Sequence, residues 1–153
     1  MIEVCRDMEH VRNFMLQPQI VRYAAEHGSD LENEEFKVDG RQGYLTYKVN
    51  GKEVGLIDFH LVTGTMAQFH PYILRKYKEH YDDMNRAFFK WFLKEVPEQI
   101  VKLNAYIPTK FKGALAAADR VGMIVEGVDR LSYLSEDGPC DRILVGIIRR
   151  EMI

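Results

Sequence analysis

Apolar positions along the chain change period in a way that predicts alternating strands and helices. The centre of the pattern is His70 to Trp91, HPYILRKYKEHYDDMNRAFFKW. It opens as the end of an apolar strand and passes through a short basic loop. It then continues as a helix with Met84, Ala87, Phe88, Trp91 and Phe92 on one face. That spacing of three and four residues marks a helix laid against a core. A strand that runs through a polar loop into a helix N-terminus is a setting for an anion, because backbone N–H groups point outward there and the helix dipole favours negative charge.

The rest of the chain falls into order around that stretch. Ile2 to Cys5 predicts a short strand, and Asp7 is placed to cap a helix with Met8, Val11, Phe14 and Met15 inward. Pro18 restarts a second helix carrying Ile20, Val21, Tyr23 and Ala24, ended by Gly28, and an acidic exposed loop follows from Ser29 to Glu35. Tyr44 to Val49 alternates and runs into Asn50-Gly51, a tight-hairpin signal. Val54 to Val62 and Met66 to Leu74 complete a three-stranded meander about the turn Thr63-Gly64-Thr65. The helix from about Asp83 to Val96 is stopped by Pro97, and Val101, Leu103, Ala105 and Ile107 alternate with polar residues as a fifth strand. Lys112 to Val121 is a small-residue helix closed by Gly122, and two strands, about Ile124 to Leu134 and Arg142 to Arg149, finish the chain. An antiparallel meander that reaches a parallel neighbour through one crossover helix is an α/β sheet of mixed direction with helices on both faces.

Composition narrows the chemistry. The 153 residues fit a single domain, 1–153, large enough to be stable without disulfides or metal. A formal net charge of −2 argues against bulk nucleic-acid binding. Cys5 and Cys140 lie at opposite ends with no metal-ligand spacing, so reduced thiols, no metal site and a cytoplasmic setting are expected. No apolar run is long enough to span a bilayer, and the N-terminus lacks a signal-peptide pattern.

Five short motifs fall in one order: His70-Pro71-Tyr72, Trp91 in the crossover helix, Ala105-Tyr106-Ile107-Pro108, Gly122-Met123 and Glu126-Gly127. With the element order, they resemble the GNAT (Gcn5-related N-acetyltransferase) superfamily, best from His70 to Arg149 and in the wording of phage and bacterial members. The resemblance implies a mixed, mostly antiparallel twisted sheet of about seven strands with about four helices. It also implies transfer of an acyl group from acetyl-CoA or another acyl-CoA to an amine of a small molecule or protein. The backbone near Ile73 and the loop residues Arg75, Lys76, Lys78, Tyr81 and Asp83 are the implied cofactor-binding positions.

Three functional positions depart from the family pattern. Tyr81 and Asp83 stand where the pyrophosphate loop carries glycines, which let backbone approach phosphate. A carboxylate ~4 Å from a phosphate costs roughly 4 kcal/mol at an effective dielectric of ~20, against about 0.3–2 kcal/mol from the helix dipole. Phe111 falls where many members carry an asparagine, and Ala118 where they carry the tyrosine that protonates the departing thiolate. These departures keep a second reading open, a catalytically inactive GNAT-fold binding or assembly protein with a protein partner or a second copy of itself, in a virion or morphogenesis role.

His70, at the end of the central strand, is a general base for an ammonium nucleophile or a hydrogen-bonded structural histidine. Asp58 and His60 are weaker candidates on the neighbouring strand. Tyr106 is a substitute acid for the thiolate, or packs beside Pro108. Asp82 and Asp83 read as helix caps, and Arg75, Lys76 and Lys78 either face phosphates or form a solvated charged loop.

Overall fold

The structure is a computed structural model and describes residues 1–152. The elements are β1 (Ile2–Cys5), α1 (Met8–Met15), α2 (Pro18–Ala24), β2 (Gln42–Val49), β3 (Lys52–Leu61), β4 (Met66–Ile73), α3 (Tyr81–Glu95), β5 (Lys102–Pro108), α4 (Lys112–Arg120), β6 (Ile124–Ser135) and β7 (Gly138–Ile148). The seven strands form one sheet in the order β1-β2-β3-β4-β5-β7-β6. Every pairing is antiparallel except β4 with β5. The expected α/β architecture of seven strands and four helices is therefore the observed one.

Local chemistry accounts for the elements. Asp7 caps α1 by accepting from the His10 N–H at 3.2 Å. Asn50 and Gly51 both take positive φ, 50° and 78°, as the tight β2–β3 hairpin demands. Gly55 on β3 permits close packing: a Cβ there would lie 2.5 Å from Met84 Sδ of α3.

Two apolar layers cover the sheet. On one face α3 supplies Met84, Phe88, Phe89 and Phe92 and α4 supplies Ala118, against Leu45, Ile57, Phe69, Leu103 and Val145. Phe69 stacks on Phe88 with ring centroids 5.0 Å apart. On the other face Val11, Phe14, Met15 and Ile20 of α1 and α2 pack on Tyr44 and Leu56. Helices thus lie on both faces.

Several expectations need correction. The buried face of α3 includes Asn85 and Phe89 as well as Met84, Phe88 and Phe92, while Ala87 and Trp91 are only partly buried. The face is broader than one stripe because α3 touches α4 as well as the sheet. The acidic loop after α2 is anchored by a 3-10 turn, Leu31–Asn33, whose Leu31 is buried. The basic loop is also a 3-10 helix, Arg75–His80. Gly28 does not end α2, which closes at Ala25. Val101, expected to open the fifth strand, lies just before β5 and is 46% exposed.

Candidate functional site

The site is set by where β4 and β5 stop pairing. Their parallel register covers only Met66–Lys102, Ala67–Leu103 and Gln68–Asn104. Beyond Gln68, β4 continues through Phe69 to Ile73 and β5 through Ala105 to Pro108 with no pairing between them. The two strands diverge, and the backbone polar groups of β4 that face β5 are left without a strand partner.

Alternation places a polar group on the α1–α2 face of the sheet beside this gap. His70 lies opposite Asp58, Gln68 opposite both His60 and Asn104, and Tyr44 opposite Asp58. His70 Nε2 is 3.1 Å from the Gln68 amide nitrogen, which donates to it in the tautomer protonated at Nδ1. Burial, with His60 and Arg142 nearby, lowers the His70 pKa to about 4, so its imidazole is neutral at physiological pH. Burial raises Asp58 to about 6, against the smaller opposing effects of His60 and of the Gln42 amide, which donates to its carboxylate at 3.3 Å. Asn104 is buried, and its Oδ1 accepts no hydrogen bond.

Tyr106 stands on the same face two residues beyond Asn104, in the part of β5 that β4 no longer pairs. The Arg142 guanidinium lies 4.5 Å from its ring centre. Arg142 is itself fixed by Asp129 at 2.8 Å and by the Ser132 hydroxyl at 2.9 Å. The ring is held from below by a cation whose own bonds are spent elsewhere. Sequence reasoning missed Asn104 and Arg142. Asn104 left one trace, a polar residue in the middle of an alternating strand.

At the far end of β4, Ile73 is half-buried and Arg75, Lys76 and Lys78 are exposed, making no ion pair among the described residues. The Arg75 backbone N–H is tied to the Gln19 side chain of α2 at 2.8 Å. Tyr81 is the first residue of α3. Burial pushes its phenol well up, against a smaller opposing effect of the Asn85 side chain. Asp82 and Asp83 are not caps. His80 occupies that position, and both aspartates lie within the first helical turn. Asp82 is gripped by Arg120 of α4 through two hydrogen bonds, 2.7 and 3.1 Å. Asp83 is exposed and lies 3.9 Å from Arg86. The negative charge expected to repel a phosphate is therefore half neutralised by a residue from a different helix.

The other two departures also have structural reasons. Phe111 packs between Tyr23 of α2 and Tyr133 of β6, at 5.1 and 6.1 Å between centroids. Ala118 is buried in the core cluster that α3 also lines. Two shallow recesses, of about 300 and 250 Å³, lie away from the gap, beside Phe59 and Trp91 and beside His10 and Glu53 respectively. Among the described residues no His, Cys, Asp and Glu group is disposed to hold a metal ion. No helix is long and apolar enough to cross a membrane.

No protein-family model matches the chain, and no curated protein does so either. Solved structures do. The Vibrio cholerae spermidine N-acetyltransferase in complex with CoA and spermine aligns with a TM-score of 0.81 at 12% identity, over 99% of this chain and 96% of that one. A GNAT-family acetyltransferase from Streptococcus pneumoniae aligns at 0.76 and 14% identity, over 97% and 98%. The ribosomal-protein-S18-alanine N-acetyltransferase from Escherichia coli aligns at 0.69 and 15% identity, over 97% and 92%. With a seven-stranded sheet that opens between β4 and β5 and helices on both faces, the chain has the GNAT fold over the aligned 99% of its residues.

Proposed function

We propose that this protein is an acyl-CoA-dependent N-acyltransferase that modifies a small amine and holds its cofactor through an atypical phosphate site. The observation that carries the reading is the divergence of β4 from β5 after Gln68–Asn104. It leaves β4 backbone groups free to bind an extended pantetheine arm and to polarise a thioester carbonyl. The similar structures from V. cholerae, S. pneumoniae and E. coli support the fold, and acyl transfer is the chemistry that the fold's known members suggest.

In this reading the CoA phosphates meet side chains rather than a glycine cradle. Arg75, Lys76 and Lys78 replace the missing backbone contacts, beside the N-terminal end of α3 at Tyr81 and Asp83. The acceptor nitrogen attacks the thioester carbon, the C–N bond forms and the C–S bond breaks. The attacking nitrogen gives up its proton, through water, to neutral His70, at Nε2 once the Gln68 amide turns away from it, and His70 passes the proton to solvent. Tyr106 gives a proton to the departing thiolate and is reprotonated from solvent.

Isothermal titration calorimetry with acetyl-CoA at low salt tests the reading. Binding tighter than about 100 μM, roughly −5.5 kcal/mol, supports it. Absence of binding at millimolar acetyl-CoA overturns it and favours the fold as a scaffold for a protein partner, the role to which the aspartates at 82 and 83, Phe111 and Ala118 would then belong.

A further inference from the structure

We infer that the acyl acceptor carries a second cationic group, and that Asp58 is the residue that receives it. The inference rests on the proposed acyl transfer for the first amine and assigns the substrate class: a small aliphatic diamine.

Asp58 is a carboxylate held in the sheet without a counter-charge. No lysine or arginine comes within ion-pair distance of it among the described residues. Its neutral neighbours are the Gln42 amide and the Tyr44 ring across β2. The titratable groups that act on it are His60, two residues along the same strand, and Glu34, whose negative charge adds to its own. His70 faces it from β4. A desolvated carboxylate with no cation is costly, and proteins remove that cost by pairing it. Only half-buried, it is open to a cation arriving from outside.

A second group points to a donor at the same place. Asn104 Oδ1, buried on the same face at the mouth of the gap, lacks a hydrogen-bond partner. Asp58, without a counter-charge, and Asn104 Oδ1, without a hydrogen-bond partner, bracket His70, one on β3 and one on β5. With strands ~4.8 Å apart and a rise of ~3.3 Å per residue, their Cα atoms lie roughly 12 Å apart. A four-carbon diamine, with nitrogens roughly 6 Å apart and a hydrogen bond of ~2.9 Å at each end, spans that distance. One ammonium then lies on Asp58 and the other nitrogen lies by the gap, where the thioester would be.

The test compares 1,4-diaminobutane with n-butylamine, of equal carbon length and one cation fewer. Each is titrated calorimetrically into the full chain with CoA present, into wild type and Asp58→Asn. The expected result is diamine binding at least about tenfold tighter than monoamine in wild type, with the preference abolished in Asp58→Asn. Equal affinity for the two amines in wild type, no binding of either at millimolar concentration, or a preference that survives Asp58→Asn overturns the inference. As a second readout, ¹³C NMR of the wild-type Asp58 carboxyl should show its midpoint falling by about one pH unit when diamine is bound. An unmoved midpoint also overturns it. Failure of acetyl-CoA to bind overturns the transferase reading instead, and the amine preference is read independently by repeating the titration without CoA.

Discussion

Asp58 on β3 and His70 on β4 stand directly opposite each other across the antiparallel pair, and burial pushes each toward its uncharged form. Asp58 is raised to about 6 and His70 lowered to about 4. They form no ion pair. Their effects on stability oppose each other. As pH falls from 6 towards 4, native Asp58 takes up a proton that the unfolded chain does not yet bind, which favours the folded state. Over the same range the unfolded chain protonates its histidine while native His70 does not, which favours unfolding. Each contribution is about 1–2 kcal/mol once partial solvent access is allowed for.

The two slopes therefore cancel in the native protein and separate in the variants. Asp58→Asn removes the first, so its stability relative to wild type should fall as pH drops from about 6 to about 4. His70→Gln removes the second, so its relative stability should rise over the same drop. Thermal melts across that range read both. Parallel profiles for wild type and the two variants would show that neither group titrates as its surroundings imply.

Tyr106 lies on the arm of β5 that β4 does not pair, with Arg142 against its ring at 4.5 Å. Tyr106→Phe keeps the ring, and with it the cation–π contact, and removes only the hydroxyl. In the proposed reaction it should lower kcat by about 10²-fold, within the ordinary range for losing a general acid, and leave the acetyl-CoA dissociation constant unchanged. Steady-state kinetics with calorimetry separate the two. An unchanged kcat would assign protonation of the thiolate to solvent.

Asp82 faces a choice that its position in the sequence does not show. It lies in the first turn of α3, and Arg120 from α4 holds it with two hydrogen bonds. The bond to Arg120 keeps the Asp82 carboxyl below the usual range. Asp82→Asn removes one negative charge from the N-terminal end of α3 and releases a guanidinium beside it. Acetyl-CoA affinity should rise several-fold, measured by the same calorimetry. The loss in stability should be small, because the pair is exposed to water. Unchanged affinity would place the phosphates away from this helix end.

The element order was legible because it rests on local periodicity. The alternation of Tyr44 to Val49 before Asn50-Gly51 and the helical spacing from Met84 to Phe92 depend on neighbours a few residues apart. The functional details depend on residues that only the fold brings together. Arg120 is 38 positions from Asp82. Asn104 and Gln68 meet only because one crossover helix returns the chain to a parallel strand. His70 was visible as a candidate by its place at a strand end. Asp58 gained weight only when the absence of a lysine or arginine beside it became visible. Leu31 looked exposed in an acidic stretch, because a single buried side chain in a short 3-10 turn carries no period.

Arg149, at the end of β7, fastens the crossover helix that follows the gap. Its guanidinium donates to the carbonyl oxygens of Leu93, Val96, Pro97 and Ile100 at 2.9 to 3.2 Å and lies 4.9 Å from the Phe92 ring centre. Leu93 and Val96 belong to the end of α3, where a helix leaves carbonyls without partners, and Pro97 and Ile100 belong to the turn after it; a cation there also complements the helix dipole. Arg149→Met keeps much of the stem and removes the guanidinium donors, leaving the partly buried Val96 and Ile100 carbonyls without that partner. Stability should drop by about 2–4 kcal/mol, from lost charge-assisted hydrogen bonds and unsatisfied carbonyls. Arg149→Lys should recover part of it, since an ammonium reaches fewer of the four at once. Urea unfolding measures both. A loss below about 0.5 kcal/mol for Arg149→Met would mean that water replaces the guanidinium at little cost, and that the end of α3 is held by Phe92 and Val96 alone.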